Sequence, residues 1–176
     1  MIGTRPAETV AEKMIKVDHA GENGAVNIYR GQHIVARILH RHLCEGLAEF
    51  QAHEEAHRAI FRQYLARNNI RRCVSYHLCG IGGFALGIVT GMIGPKAISA
   101  TTYAVENVVL AHLAEQMMYL RLHDASALQC VSRIHDDEKA HHDSAKLQMG
   151  VPDRLTRILI SVVRSSTESV IRFGMR

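Results

Sequence analysis

Apolar residues recur along this chain at helical spacing, and the recurrence divides it into segments. Over residues 8–38, Val10, Met14, Val17, Ala20 or Gly21, and Ile28 fall along one helical face. A second helix is predicted over 41–67, closed by Asn68 and Asn69, which tolerate a left-handed C-cap. The amphipathic pattern returns from Lys96 to about His123, and again from about Ser126 to Met149, where Gly150 and Pro152 stop it. A last helix is predicted over 153–173, with Asp153 as its N-cap. No linker or low-complexity stretch interrupts the series, so residues 1–176 are read as a single all-α domain.

One segment breaks the pattern. "CVSYHLCGIGGFALGIVTGMIGP", Cys73 to Pro95, contains no Lys, Arg, Asp or Glu, and six glycines lie between Gly80 and Gly94. Its 23 residues are enough to cross a bilayer. The glycines lower helix propensity and permit close helix approach. Three arrangements fit: a helix buried in the core, a surface that dips into one leaflet, or a single span. The amphipathic helices on either side are read as parts of one bundle, which disfavours the span.

Composition narrows the class. Of 176 residues, 47% are apolar and 5% aromatic, with no Trp and three Pro, as expected for a helical globular chain. The formal charge of +4 suits an anionic membrane surface. No cluster of aromatic and basic residues accompanies it, so nucleic acid is not an expected partner. Cys44, Cys73, Cys79 and Cys130 form no Cys-x-x-Cys pair, so no zinc ribbon or redox motif is present, and they are read as reduced and intracellular. The N-terminus has no apolar core of a secretory signal.

The chemistry lies in a repeated spacing. Glu54 and His57 form Glu-x-x-His, and Glu138 and His141 form it again. Residues three apart on a helix share a face, so each pair aims a carboxylate and an imidazole at one point. Glu22 lies 32 residues before Glu54, and Glu106 lies 32 before Glu138. An antiparallel hairpin of two helices, each using about 16 residues or about 24 Å, brings such positions level. Two hairpins then supply four glutamates and two histidines to one dinuclear carboxylate site. Zinc prefers four Cys or His ligands, and calcium disfavours imidazole; six such ligands suit a pair of iron or manganese ions, iron being the redox-active choice. Asp18, four residues before Glu22, is a candidate to orient a ligand imidazole. Tyr103, three before Glu106, is either near the metals or simply packed. His53, His135 and His142 adjoin the motifs but are expected on other faces, and His40, His42, His77 and His123 at the surface or at helix ends.

The segments "VDHAGENGAVNIYRGQ", "HEEAH", "GFALGIVTGMIG", "YAVENVVLAH" and "DDEKAHHD" resemble the demethoxyubiquinone hydroxylase family of ubiquinone biosynthesis. The likeness runs from about Lys16 to His142 and is weaker beyond; the ending "SVIRFGMR" is only loosely like the family's apolar, basic end. The resemblance implies a ferritin-like four-helix bundle with additional apolar helices. It implies two Fe ions held by Glu22, Glu54, His57, Glu106, Glu138 and His141. It implies a peripheral membrane monooxygenase that uses O2, with electrons from NADH or a donor chain, to hydroxylate the ring of a prenylated demethoxyquinol. The expected location is the cytoplasmic face of a bacterial inner membrane or the matrix face of the mitochondrial inner membrane. Partner proteins of ubiquinone biosynthesis and a homo-oligomer are further expectations. The competing readings are a ferritin-like iron storage or detoxification protein, a non-enzymatic membrane scaffold, and a di-iron hydroxylase of another substrate such as a modified tRNA base. A basic chain with a long uncharged segment suits a soluble iron-storage cage poorly.

Overall fold

The structure, a computed structural model, describes residues 3–175. Six helices account for it: α1 (Val10–Leu39), α2 (Cys44–Arg67), α3 (Tyr76–Ile93), α4 (Pro95–His123), α5 (Ala125–Met149) and α6 (Arg154–Gly174), with one 3-10 turn (Arg41–Leu43) between α1 and α2. Their ends follow local chemistry. Thr9 and Glu12 form a capping box at the start of α1, and Arg5 pairs with the Glu12 carboxylate. The Arg5 hydrogen bond outweighs the effect of burial and holds that carboxylate down at about 2. Backbone bonds between Arg5 and Asn69 (3.0 Å) and between Arg71 and Arg5 (2.8 Å) tie the entry segment to the end of α2. Asn69 takes the left-handed conformation there, with φ of 54°. Asp124 caps α5 through Ser126 and Ala127, and the Tyr64 hydroxyl donates to its other oxygen at 2.6 Å, joining the end of α2 to the α4–α5 corner. Asp153 caps α6 through Thr156, as the sequence predicts.

Helices α1, α2, α4 and α5 make an all-α, ferritin-like bundle of two hairpins, α1–α2 and α4–α5. Two apolar layers fill it. Ile15, Phe61, Leu65, Leu113, Leu120 and Ile134 pack at one end, and Tyr29, Ala36, Leu47 and Ile98 at the other. Burying each of the larger side chains contributes about 1.5–3 kcal/mol. The polar cluster described below lies between these layers. Val10, assigned to the apolar face of α1 from its spacing, is instead 43% exposed, because the first turn of α1 turns Ala11 and Glu12 inward in its place.

Helix α3 lies along α1 and connects the two hairpins. Its inward face is glycine rather than leucine. A Cβ at Gly83 would stand 2.3 Å from the Gly24 carbonyl oxygen, and one at Gly87 would stand 2.1 Å from that of Ile28. The two backbones therefore touch, and alanine at either position would force the helices apart. Gln32 donates to Thr90 at 3.1 Å and Asn23 to the Tyr76 carbonyl at 2.9 Å, fixing the register. Turning glycine inward turns Leu78, Ile81, Met92 and Ile93 outward, at 58–71% exposure. The uncharged segment is thus neither a wholly buried core helix nor free of the bundle. Among the described residues it is the one helix long and apolar enough to cross a membrane.

Helix α6 packs mainly on α4. Val163 faces inward, while Leu155, Ile158, Val162 and Phe173 are exposed, with Arg154, Arg157, Arg164 and Arg172 on the same helix. All four cysteines are free.

Candidate metal centre

Each helix of the bundle places acidic or imidazole side chains at one level. Glu22 comes from α1, Glu54 and His57 from α2, Glu106 from α4, and Glu138 and His141 from α5. All six are buried. Their ligand atoms fall into two overlapping groups, each within 4.8 Å: Glu22, Glu54, His57 and Glu138; and Glu54, Glu106, Glu138 and His141. Glu54 and Glu138 belong to both. One half adds Glu22 and His57, the other Glu106 and His141.

The distances repeat this two-fold pattern. His57 Nδ1 is 2.9 Å from Glu138 across the bundle and 3.7 Å from Glu54 on its own helix. His141 Nδ1 is 3.1 Å from Glu54 across the bundle and 3.6 Å from Glu138 on its own helix. Close as they are, His57 Nδ1, His141 Nδ1, Glu54 Oε1 and Glu138 Oε2 complete no hydrogen bond and are shut off from solvent. Buried polar atoms left this way are costly unless something else satisfies them.

The outer nitrogens do have partners. His57 Nε2 lies 3.1 Å from Asp137, and His141 Nε2 lies 3.0 Å from His53 Nδ1. Each partner is the residue just before the glutamate of the opposite Glu-x-x-His pair. If the outer nitrogen donates, the inner Nδ1 is left with a lone pair facing the carboxylates, the tautomer a cation requires. The structure corrects the sequence reading here. His53 does not turn away from the site, and Asp18 contacts no imidazole; Asp137 and His53 occupy that position. Their placement in the same slot of both motifs was visible in the sequence, but contacts spanning 80 and 88 residues were not. Tyr103 packs against the His142 ring, centroids 4.9 Å apart, whereas buried Tyr29 lies close enough to Glu106 and Glu54 to feel their charge.

The side chains of the cluster balance one another's charge through protons. Burial, then the charges of Glu54 and Glu138, push the Glu22 carboxyl well above the usual carboxylate range. Burial and the same two neighbours do so for Glu106. Burial alone would discharge the imidazoles, but Glu138 and Glu54 outweigh it, raising His57 to about 10 and His141 to about 9. Glu54 goes the other way, to about 2, because His141 and His57 outweigh its burial. Protons thus do the balancing. Four ionised carboxylates with two neutral imidazoles would balance two divalent cations, and oxygen and nitrogen donors without thiolate fit iron or manganese. The donor set therefore fits a dinuclear centre.

A cavity of about 430 Å³ opens onto this cluster and touches Glu22, Glu54, Glu106 and Glu138. Its walls are mostly apolar, including Ile28, Leu86, Val105, Val109, Val163 and Ile171. Helices α1, α3, α4 and α6 all contribute, so the two added helices shape the approach to the cluster.

Residues 9–174 match the family described as ubiquinone biosynthesis protein COQ7. Among the relatives, the NADPH-dependent 3-demethoxyubiquinone 3-hydroxylase, mitochondrial, of Dictyostelium discoideum is 32% identical over 75% of this chain and 61% of its own length. The protein of the same name from Caenorhabditis elegans is 30% identical over 80% of both chains. The 3-demethoxyubiquinol 3-hydroxylase of Rhodospirillum rubrum is 39% identical over 64% of this chain and 52% of its own length. The match thus spans about three fifths of the Dictyostelium relative and about half of the Rhodospirillum one.

Loading the site with divalent cations must displace its protons. Anaerobic addition of ferrous ion to metal-free protein at pH 7 in weak buffer is expected to release about two to four protons per chain. The first two come from His57 and His141, and any others from Glu22 and Glu106. A pH indicator checks this, and binding without net proton release would contradict the assignment.

Proposed function

This chain belongs to the ubiquinone biosynthesis protein COQ7 family, and from that membership and its buried cluster we propose that it is a di-iron monooxygenase hydroxylating the ring of a prenylated demethoxyquinol. The observation that carries the reading is the apolar cavity opening onto four carboxylates that are grouped with two buried imidazoles. A storage site needs the ligands but has no use for a greasy chamber of this size beside them.

Glu22, Glu54, His57, Glu106, Glu138 and His141 would hold two iron ions, Glu54 and Glu138 belonging to both groups of donors. The chemistry that iron supplies when bound is the reduction of O2 and delivery of one oxygen atom to the ring. The chain does the rest. Asp137 and His53 fix the two imidazoles, the layers around Phe61 and Tyr29 keep water from the cluster, and the cavity holds the substrate ring against it. Electrons come from a reduced nicotinamide nucleotide or a donor chain. The resemblance suggested NADH, while the Dictyostelium and Caenorhabditis relatives are named for NADPH.

The substrate's tail suits a membrane surface. The outward face of α3 and the apolar, arginine-flanked face of α6 both border helices that wall the cavity. Such faces suit the headgroup region of an anionic bilayer, at the matrix face of the mitochondrial inner membrane or the cytoplasmic face of a bacterial one. The relatives from Dictyostelium and Caenorhabditis are named mitochondrial.

Glu106→Ala is expected to lower quinol hydroxylation by at least about a hundredfold, since loss of even an outer partner of a metal ligand weakens a site by 10–100-fold. Its metal-free form should melt no lower than wild type, because a polar group that burial and the charges of Glu138 and Glu54 disfavour is gone. Turnover near wild type would remove Glu106 from the ligand set. For the membrane face, wild-type protein should float with anionic liposomes and the Ile81→Asp, Met92→Asp double variant should not, both remaining helical by circular dichroism. Equal flotation would remove α3 from the docking surface.

A further inference from the structure

The cavity wall is apolar apart from the carboxylate cluster and a few side chains, and one of those is unusual. Asp18 on α1 lies one helical turn, about 6 Å along the axis, from Glu22. Its Oδ1 accepts from Gln116 Nε2 at 2.9 Å. Its Oδ2 is shut off from solvent and has no hydrogen-bond partner, although the residue lines the cavity. Among the described residues no Lys or Arg pairs with it. Gln116, itself 6% exposed, is committed to bracing Asp18 from α4, the opposite side of the groove. Burial pushes the Asp18 carboxyl up to about 7, against the Gln116 hydrogen bond.

A carboxyl held from one oxygen, with the other unpaired and covered at the edge of a greasy wall, is a poor structural element. An unsatisfied buried acceptor weakens a fold. It is a good recognition element, because a ligand donor reaching it gains a hydrogen bond without competition from water. Thr167, also on the wall, is not free in this way, since its hydroxyl donates to the Val163 carbonyl at 2.9 Å.

We propose that Asp18, braced by Gln116, positions the quinol ring by accepting a hydrogen bond from one ring hydroxyl at Oδ2. The proposal rests on the substrate class given above and names the group that orients it. One hydroxyl engages Asp18, and the ring then lies across the turn between Asp18 and Glu22, its edge toward the carboxylate cluster. Asp18 touches no iron ligand in this arrangement and acts by orientation.

Binding, rather than turnover, tests this. Iron-loaded protein is dialysed anaerobically against a methoxy-methyl-hydroquinone bearing one isoprenyl chain, and separately against its dimethyl ether, which lacks both hydroxyl donors. Wild type should bind the hydroquinone about tenfold more tightly than the ether. Asp18→Leu should bind both alike, with ether affinity unchanged, and Asp18→Asn, which keeps an oxygen, should recover part of the preference. The Asp18→Leu, Gln116→Leu double variant, which leaves neither half of the pair unsatisfied, serves if the single variant folds poorly, and it too should lose the preference. Preference retained in the leucine variants would overturn the proposal and shift recognition to His112 or Ser166, two further polar residues of the cavity wall. No preference in wild type would overturn it while leaving the substrate class standing. Failure of wild type to bind either probe would overturn both.

Discussion

Four carboxyl groups inside an apolar helical bundle are the constraint on which the rest depends. Glu22, Glu54, Glu106 and Glu138 are each almost without solvent contact, and burial together with the charges of Glu54 and Glu138 raises the affinity of Glu22 and Glu106 for protons. An ionised carboxylate in such a place needs a cation. His57 and His141 supply charge by taking protons in the cation-free protein, and they are equally placed to supply lone pairs to metal ions. The two-fold repetition follows from this: two ions need two equivalent sets of donors, and two similar hairpins deliver them with Glu54 and Glu138 in common.

The remaining helices adapt that bundle to a substrate. Gly83 and Gly87 let α3 lie directly against the backbone of α1, while Leu78, Ile81, Met92 and Ile93 face outward. Together with α6 it closes a cavity whose inner end is the carboxylate cluster. The inward glycine face brings backbone rather than side chains against α1 and leaves room beside Gly21, where an added Cβ would meet nothing within 4 Å. The helix whose backbone touches α1 is therefore also one that presents apolar side chains outward.

Much of this is legible in the sequence because it depends on local spacing. Helix periodicity places five of the helices to within about three residues at their ends, and the absence of charge from Cys73 to Pro95 brackets α3. The equal offsets between Glu22 and Glu54 and between Glu106 and Glu138 select the residues that the fold brings together. What local spacing cannot show is contact between distant segments. Asp137 meets His57 and His53 meets His141 only after the hairpins dock, and Gln116 meets Asp18 across 98 positions. Hydropathy misleads at α3 for a related reason. Ranking residues by apolarity would turn Leu78 and Ile81 inward, but the closest packing partner of α1 is a stripe of small residues, and the side chains must then go the other way.

The account stands or falls on whether the cluster takes two cations. Anaerobic reconstitution with ferrous ion, removal of loosely held metal, and determination of iron per chain measure this directly. The account predicts two irons per chain, falling in Glu54→Ala, which removes a carboxylate common to both positions. One iron per chain, or none in a protein that folds fully without it, would contradict the claim that the four buried carboxylates exist to hold a metal pair.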